Sequence, residues 1–552
     1  MPTLDWIGKK AVVEHHKQVP FHLLKSDDAL SVGEPGSGNL LVQGDNLLAL
    51  KALLPYYAGR VKCIYIDPPY NTGKENWVYN DNVNSPEMRE WLGKTVGKEA
   101  EDLCRHDKWL CMIYPRLILA KDFLSDDGII FVSIDDHELP LLRILMDEIF
   151  HKENLLSCFV WQTEGNFDNQ AKVKICHEYI LAYTKNASRF PAPPVVDPNI
   201  PENSKLFRHE IRNTIVKNGP KNPISDVLIP AGFPVDFEKG LIPKRSNLWP
   251  HYDRDLLIKD YTLQNDVTAT SGWSSKKILL SYVKSGFAPI KDTKGQDASF
   301  VISRTGAIET VKKRPDNQSH VISVLREVGT TQQMSAALAT MGIKFDYPKP
   351  NGLIEYLISM LGGDDFTVID FFAGSGTTAN AIVNCNLRDG GTRKYILVEW
   401  DDHIIREICA KRLALVLSQG GLSRDAQYGF RFCELGDPLF DSEGQIGELV
   451  TFKDLAHHVF FMATGEPLPD SAELKTPLLG VANGIAVYLL FNGILGDRSV
   501  NGGNILTREI LASLPPHEGT RIIYGNGCRI SPERLRRENI IFRQVPYEVR
   551  VP

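Results

Sequence analysis

The nine residues DGIIFVSID, 127–135, open with a turn and then run apolar on both faces. A half-exposed strand alternates apolar with polar, so a run like this suits a strand covered by helices on both sides of a parallel sheet. The same texture recurs along the chain. NLLVQGDNLLALKALLP reads as a strand at Leu40–Gln43, a turn at Gly44-Asp45-Asn46, and a helix carrying Leu47, Leu48, Leu50, Leu53 and Leu54 that Pro55 stops. A strand over 61–67 follows, and HEYILAYTKN (177–186) reads as a last, more exposed strand. Further on, Asn351 is placed to cap a helix with Leu353, Ile354, Leu357, Ile358 and Leu361, closed by Gly362-Gly363. A strand at Thr367–Phe371 then enters a glycine turn and a helix, and KYILVEWDDHIIREICAKRL repeats strand, acid, helix. Strands alternating with helices predict an α/β fold around a parallel sheet.

At 552 residues the chain is too long for one ordinary core, and two to four units are expected. FPAPPVVDPNIP (190–201) has five prolines and reads as a linker. From there to about residue 330 periodicity is weak. Lys244-Arg245, Lys276-Lys277 and Lys312-Lys313-Arg314 stand among Trp249, Tyr252 and Trp273. The whole chain carries a net charge of −6, yet residues 186–329 hold 21 Lys+Arg against 15 Asp+Glu, a local +6 that leaves −12 elsewhere. Contact with a polyanion is therefore expected in this segment, with cations for phosphates and rings for bases. An irregular insertion with solvated charges is the alternative. The final 110 or so residues read as an α/β or β-rich appendage. The nine cysteines show no zinc-ligand spacing, so no metal is expected and a reducing compartment is. No stretch has the length and apolarity of a signal peptide or a membrane helix, which points to the cytoplasm.

Two motifs carry chemistry. FFAGSGTTA sets Gly374 and Gly376 between a strand and a helix, with Ala379 as a third small residue and Glu399 ending the next strand 23 positions after Gly376. That context suits an adenosine-containing cofactor: a tight turn, a close backbone approach, and an acid for ribose hydroxyls. CIYIDPPYNTG (63–73) ends a buried strand in an acid, two prolines and an aromatic. A nicotinamide enzyme has no use for that ending, whereas an enzyme that alkylates a ring-attached amine has one. The amino nitrogen of adenine is a poor nucleophile because its lone pair is delocalised into the ring. The Asp67 carboxylate and a carbonyl of Pro68-Pro69, aimed at the amine hydrogens, would draw it toward a tetrahedral amine, and Tyr70 offers a stacking face to an extruded base.

With both motifs placed, the chain resembles the beta-class N6-adenine DNA methyltransferases, whose amine motif is D-P-P-Y and whose cofactor motif is F-x-G-x-G, here Phe372–Gly376. The amine motif precedes the cofactor motif by roughly 300 residues, a permuted order. LLVQGDNLLALKAL, YIDPPYNTG, VYNDN, DDGIIFVSIDDHE, HEYILAYTKN, FDYPKP and VEWD are similar to the modification (Mod) subunit of type III restriction-modification systems. The resemblance implies a Rossmann-like methyltransferase sheet using S-adenosyl-L-methionine, with core parts at 1–188 and 329–438, a target-recognition insertion at 189–328, and an accessory domain at 439–552. It places Asp67, Pro68, Pro69 and Tyr70 around the target adenine. Asp370, Phe372, Ala373, Gly374, Gly376 and Thr377 would line the cofactor, Glu399 its ribose, and Phe345 and Lys349 its methionine moiety. Asp45 lies near the cofactor's adenine or serves only as a helix cap, while Asp135, Asp136 and Glu138 are expected to cap the following helix and His177 to be structural. Double-stranded DNA, a homodimer and a restriction or helicase subunit are the implied partners, in a bacterial or archaeal cytoplasm on the nucleoid. N4 of cytosine is the alternative acceptor, and a non-catalytic recognition subunit the alternative role.

Overall fold

The computed structural model describes all residues except 1–2, 7, 34–36, 73–104, 164–171, 195–199, 201–209, 293–294, 314–320, 423–426, 442, 470–471, 473, 492–493, 495–502 and 546–552. VYNDN and Arg314 therefore lie outside the described residues. The chain divides into two compact units, 1–193 with 321–552, and 194–320.

The larger unit is organised by one ten-stranded sheet. In chain order its elements are β1 (His22–Val32), β2 (Leu40–Gln43), α1 (Asn46–Tyr57), β3 (Val61–Ile66), α2 (Arg105–Phe123), β4 (Leu124–Ile134), α3 (Leu139–Met146), β5 (Leu155–Gln162), β6 (His177–Thr184) and β7 (Val324–Leu325). They continue as α4 (Asn351–Ser359), β8 (Thr367–Asp370), α5 (Thr377–Asp389), β9 (Lys394–Glu399), α6 (Lys411–Gln419) and β10 (Phe430–Pro438). The order across the sheet is β1-β10-β2-β9-β8-β3-β4-β6-β5-β7. Strands β10 through β4 run parallel. Such a sheet needs helices on both faces, which is why β3 and β4 carry Ile64, Ile66, Ile130 and Val132 fully buried. Parallel pairing of Ile64 with Ile369 sets the ends of β3 and β8 side by side. From that pair the chain continues outward in opposite directions, β8 to β9 and β3 to β4, so a crevice opens there at the carboxyl ends.

Three expectations are corrected. Pro55 does not stop its helix; it lies inside the last turn of α1, where the chain continues to Tyr57. β6 is not an exposed edge. It runs antiparallel between β4 and β5, with Ile180 to Tyr183 fully buried, and its polar start at His177 and Glu178 made it look exposed. Asn351 does not cap α4; the cap position is Pro350, and the Asn351 side chain is held by Asn380 and Arg412 instead.

The second unit is not irregular. It has two three-stranded sheets, a four-stranded sheet and a helix, Lys276–Lys284, around a core that includes Phe233, Tyr252, Trp273, Tyr282 and Phe300. Strands of two to six residues are too short to show a period in sequence. Beyond β10, a helix at Phe452–Thr464 and a four-stranded mixed sheet (Leu478–Ala482, Ile485–Leu489, Thr520–Gly525, Ile540–Gln544) form the C-terminal part. It packs on α1 through Tyr56 stacked on His457 at 4.3 Å, and on the residue before β1 through Phe21 against His458 at 4.4 Å. Among the described residues no helix is long and apolar enough to cross a membrane.

Candidate active site

After β8 the backbone turns left-handed at Gly374 (φ +50°) and Gly376 (φ +78°), which starts α5. Both angles suit glycine because it has no Cβ to clash with the following carbonyl. Glu399, at the end of β9, accepts from the Gly374 amide at 2.9 Å with one oxygen and from the Trp400 and Asp401 amides at 3.1 and 3.2 Å with the other. Asp370 accepts from the Phe372 amide at 3.0 Å and the Thr378 hydroxyl at 2.5 Å; burial pushes its pKa up to about 7. Ala373 donates its amide to the Val398 carbonyl at 3.1 Å. Thr377 donates to the Lys349 carbonyl at 3.1 Å, tying the glycine turn to FDYPKP, and the Phe345 ring lies 3.4 Å from where a Cβ on Gly374 would stand. Asp45 caps α1 through the Leu47 and Leu48 amides and pairs with Arg116 at 3.2 Å, so its cap role is the one occupied.

Asp67 follows β3 at the neighbouring strand end. Its Oδ2 meets the Lys349 ammonium at 2.9 Å, while its Oδ1 is buried with no hydrogen-bond partner among the described residues. Burial raises the Asp67 pKa, Lys349 opposes the rise, and Glu178 adds to it. The Pro69 carbonyl accepts from the Trp109 indole at 2.7 Å. Pro68 is buried beside them. Tyr70 donates to Glu178 at 2.9 Å, and its ring lies under the Lys349 ammonium, 4.9 Å from the centroid. Lys349 thus reaches the amine motif with its side chain and the glycine turn with its carbonyl.

Sequence reasoning missed three residues. Glu178 reaches this crevice because β6 is antiparallel, so its first residues lie at the carboxyl ends of β3 and β4. Arg412, fully buried, donates to the Ser375 carbonyl and hydroxyl and the Thr377 hydroxyl at 3.0 Å each, and to Asn351 and Asn380 at 2.8 and 3.1 Å. An arginine within the apolar run of ICAKRLALVL was the only signal. Glu138 sits at the cap position of α3, but its side chain makes no cap. It turns instead to the Asn71 amide and to His106 at 2.6 Å, correcting the capping expectation. Asp135 accepts from the His137 amide at 2.9 Å and Asp136 from the Tyr179 hydroxyl at 2.9 Å, while His177 bonds Tyr179 at 2.9 Å.

In the second unit Lys244, Lys277 and Lys313 are exposed. Arg245 is tied to the carbonyls of Pro250, Thr305 and Gly306, Lys276 to Ser225 at 2.7 Å, and Lys312 to Asp292. Tyr252 and Trp273 are core residues, not stacking platforms: a ring that fills a core has no free face.

A family model described as DNA methylase matches residues 61–411. The EcoPI Mod subunit of a type III restriction-modification enzyme from Escherichia phage P1 is 31% identical over 507 residues, 83% of this chain and 74% of that one. The EcoP15I Mod subunit from Escherichia coli is 30% identical over 72% of this chain and 64% of its own length, and the type II methyltransferase M.KpnI of Klebsiella pneumoniae is 28% identical over 64% and 79%. This chain thus spans from just under two thirds to about four fifths of these relatives. Among solved structures, the PvuII cytosine-N4-specific DNA methyltransferase overlaps 72% of this chain and 95% of that one at 11% identity and a TM-score of 0.32, a superposition too loose to carry an argument. The match of a family model over more than half its length, with relatives at 30–31% identity over 72–83% of it, means that this chain belongs to the DNA methylase family of N6 and N4 methyltransferases.

Proposed function

We propose that the chain methylates N6 of adenine in duplex DNA, as the modification component of a type III restriction-modification system. The observation that carries this reading is the pairing of strand ends: β3 brings Asp67, whose buried Oδ1 has no partner among the described residues, beside the glycine turn that follows β8. S-adenosyl-L-methionine supplies an electrophilic methyl group when bound. The donor set suits that molecule. Gly374 turns left-handed with no side chain in the way, and Glu399 Oε2 keeps a lone pair for a ribose hydroxyl after accepting the Gly374 amide, while Oε1 already accepts the Trp400 and Asp401 amides.

The chain's own residues do the rest. Asp67 Oδ1 accepts one hydrogen of the target amine, and a carbonyl of the Pro68-Pro69 segment, with Pro69 restrained by Trp109, accepts the other. The amine would then attack the donated methyl directly, the N–C bond forming as the C–S bond breaks and a neutral thioether leaves, with the surplus amine proton released to solvent; catalysis comes from positioning and from these preorganised acceptors. Tyr70 stacks on the extruded base, offsetting part of the few kcal/mol that unstacking costs. Exposed Lys244, Lys277 and Lys313 of the second unit meet the phosphates. A homodimer, a restriction subunit as partner and a place on the bacterial or archaeal nucleoid follow from the same reading.

Asp67→Ala tests it. The variant keeps S-adenosyl-L-methionine binding by calorimetry and loses most methyl incorporation into DNA; wild-type turnover would remove the assignment. Mass spectrometry of the digested product distinguishes N6-methyladenine from N4-methylcytosine.

A further inference from the structure

One ammonium in the crevice serves two carboxylates. Lys349 Nζ is 2.9 Å from Asp67 Oδ2 and 3.3 Å from Glu178 Oε2, and it lies 4.9 Å from the Tyr70 ring centroid and 5.9 Å from that of Trp161. Glu178 Oε2 also accepts the Tyr70 hydroxyl at 2.9 Å. Lys349 is only 9% exposed. Stability alone does not call for this arrangement, since well-packed apolar side chains often replace buried ion pairs without loss. What it does is set two things at once: the charge on the acceptor for the amine and the tilt of the ring that would carry the base.

We propose that Lys349 and Glu178 are positioning residues for methyl transfer, Lys349 as the counter-ion of Asp67 and Glu178 as the anchor of both that ammonium and the Tyr70 ring. The proposal rests on the reading of the crevice as an amine pocket, and it gives Lys349 a place on the amine side instead of beside the methionine moiety. The charged and titratable groups facing Asp67 are Lys349, Glu178, Tyr70, Tyr65 on the same strand and Asp370 on the next. The ammonium favours the ionised acceptor most, the Tyr70 hydroxyl favours it less, and Glu178 opposes it.

The test is a single-turnover pH profile of labelled methyl transfer by the full chain into DNA from a methylation-deficient host, from about pH 5.5 to 9.5. Lys349→Met moves the acid limb to higher pH and Glu178→Gln moves it to lower pH, each by about one unit. Lys349→Arg, which keeps the charge, leaves the limb in place. Tyr70→Phe keeps the ring but lowers the plateau rate, and adding Glu178→Gln to it lowers that plateau little further. A purely structural role lowers rates at every pH and moves no limb. Limbs that stay put, or move in the same direction in the Met and Gln variants, overturn the proposal while leaving the methyltransferase reading intact. Absence of methyl incorporation by the wild-type chain overturns that reading and the proposal together.

Discussion

Gly376→Ala is the most informative single change in the glycine turn, because two separable costs meet there. The backbone is left-handed at φ +78°, which charges a residue with a Cβ about 1 kcal/mol. The new methyl would also stand 2.8 Å from Cys409 Sγ, well inside the ~3.5–4.0 Å of ordinary contact. Cys409 is fully buried in the π-helical segment Ile404–Ala410, so its sulfur or the turn must shift. Overpacking of this kind costs about 1–3 kcal/mol, so the variant should lose about 2–4 kcal/mol. Cys409→Ala alone should cost about 1 kcal/mol for the deleted sulfur. Combined, the two changes remove their own clash, and the double variant should be more stable than the sum of the singles by about 1–2 kcal/mol. Thermal unfolding of the four proteins reads this out at roughly 2–4 °C per kcal/mol. Calorimetry with S-adenosyl-L-methionine should show weakened binding in Gly376→Ala and partial recovery in the double variant. A double variant that falls at the sum of the singles would refute the steric argument and leave only the backbone term.

Three further outcomes are expected. Asp370 has a pKa raised by burial to about 7, so between about pH 4 and 7 the folded chain holds a proton that the unfolded chain has released. Its contribution to stability is therefore present at low pH and is lost as pH rises through that window, by at most roughly 4 kcal/mol. Asp370→Asn should flatten this fall in melts across that range; an unchanged slope would contradict the assignment. Arg412→Lys offers three donors to the five oxygen acceptors that the guanidinium reaches, so at least two of those bonds are lost, at about 0.5–1.5 kcal/mol each because Asn380 and the two hydroxyls keep other partners. Its melting temperature and cofactor affinity should both fall, and a loss below about 0.5 kcal/mol would show that the turn does not depend on the fork. Asn71 is left-handed at φ 61° and bound to Glu138, so Asn71→Gly should be more stable than Asn71→Ala by about 1 kcal/mol, with the reverse order ruling out backbone strain as the reason.

The strands that build the crevice were legible because burial on both faces leaves a continuous apolar run, and the crevice ends were legible because acid, proline and glycine punctuate such runs where the backbone must turn. Leu40–Gln43 and the strands entering Asp67 and Asp370 were therefore found to within a residue. The second unit's sheets were not, since strands of two to six residues carry no readable period and their aromatic residues look alike whether they fill a core or face solvent. The chain's local chemistry by itself put an acid, two prolines and an aromatic at one strand end and a glycine turn at another. Only the tertiary structure decided what surrounds those groups. Strand direction is a property of the whole sheet, and it is the antiparallel course of β6 that carries Glu178 to Tyr70 and Lys349. Likewise Arg412, a partner 37 residues from Ser375 that no local pattern marks, reaches the acceptors behind the glycine turn only through the fold.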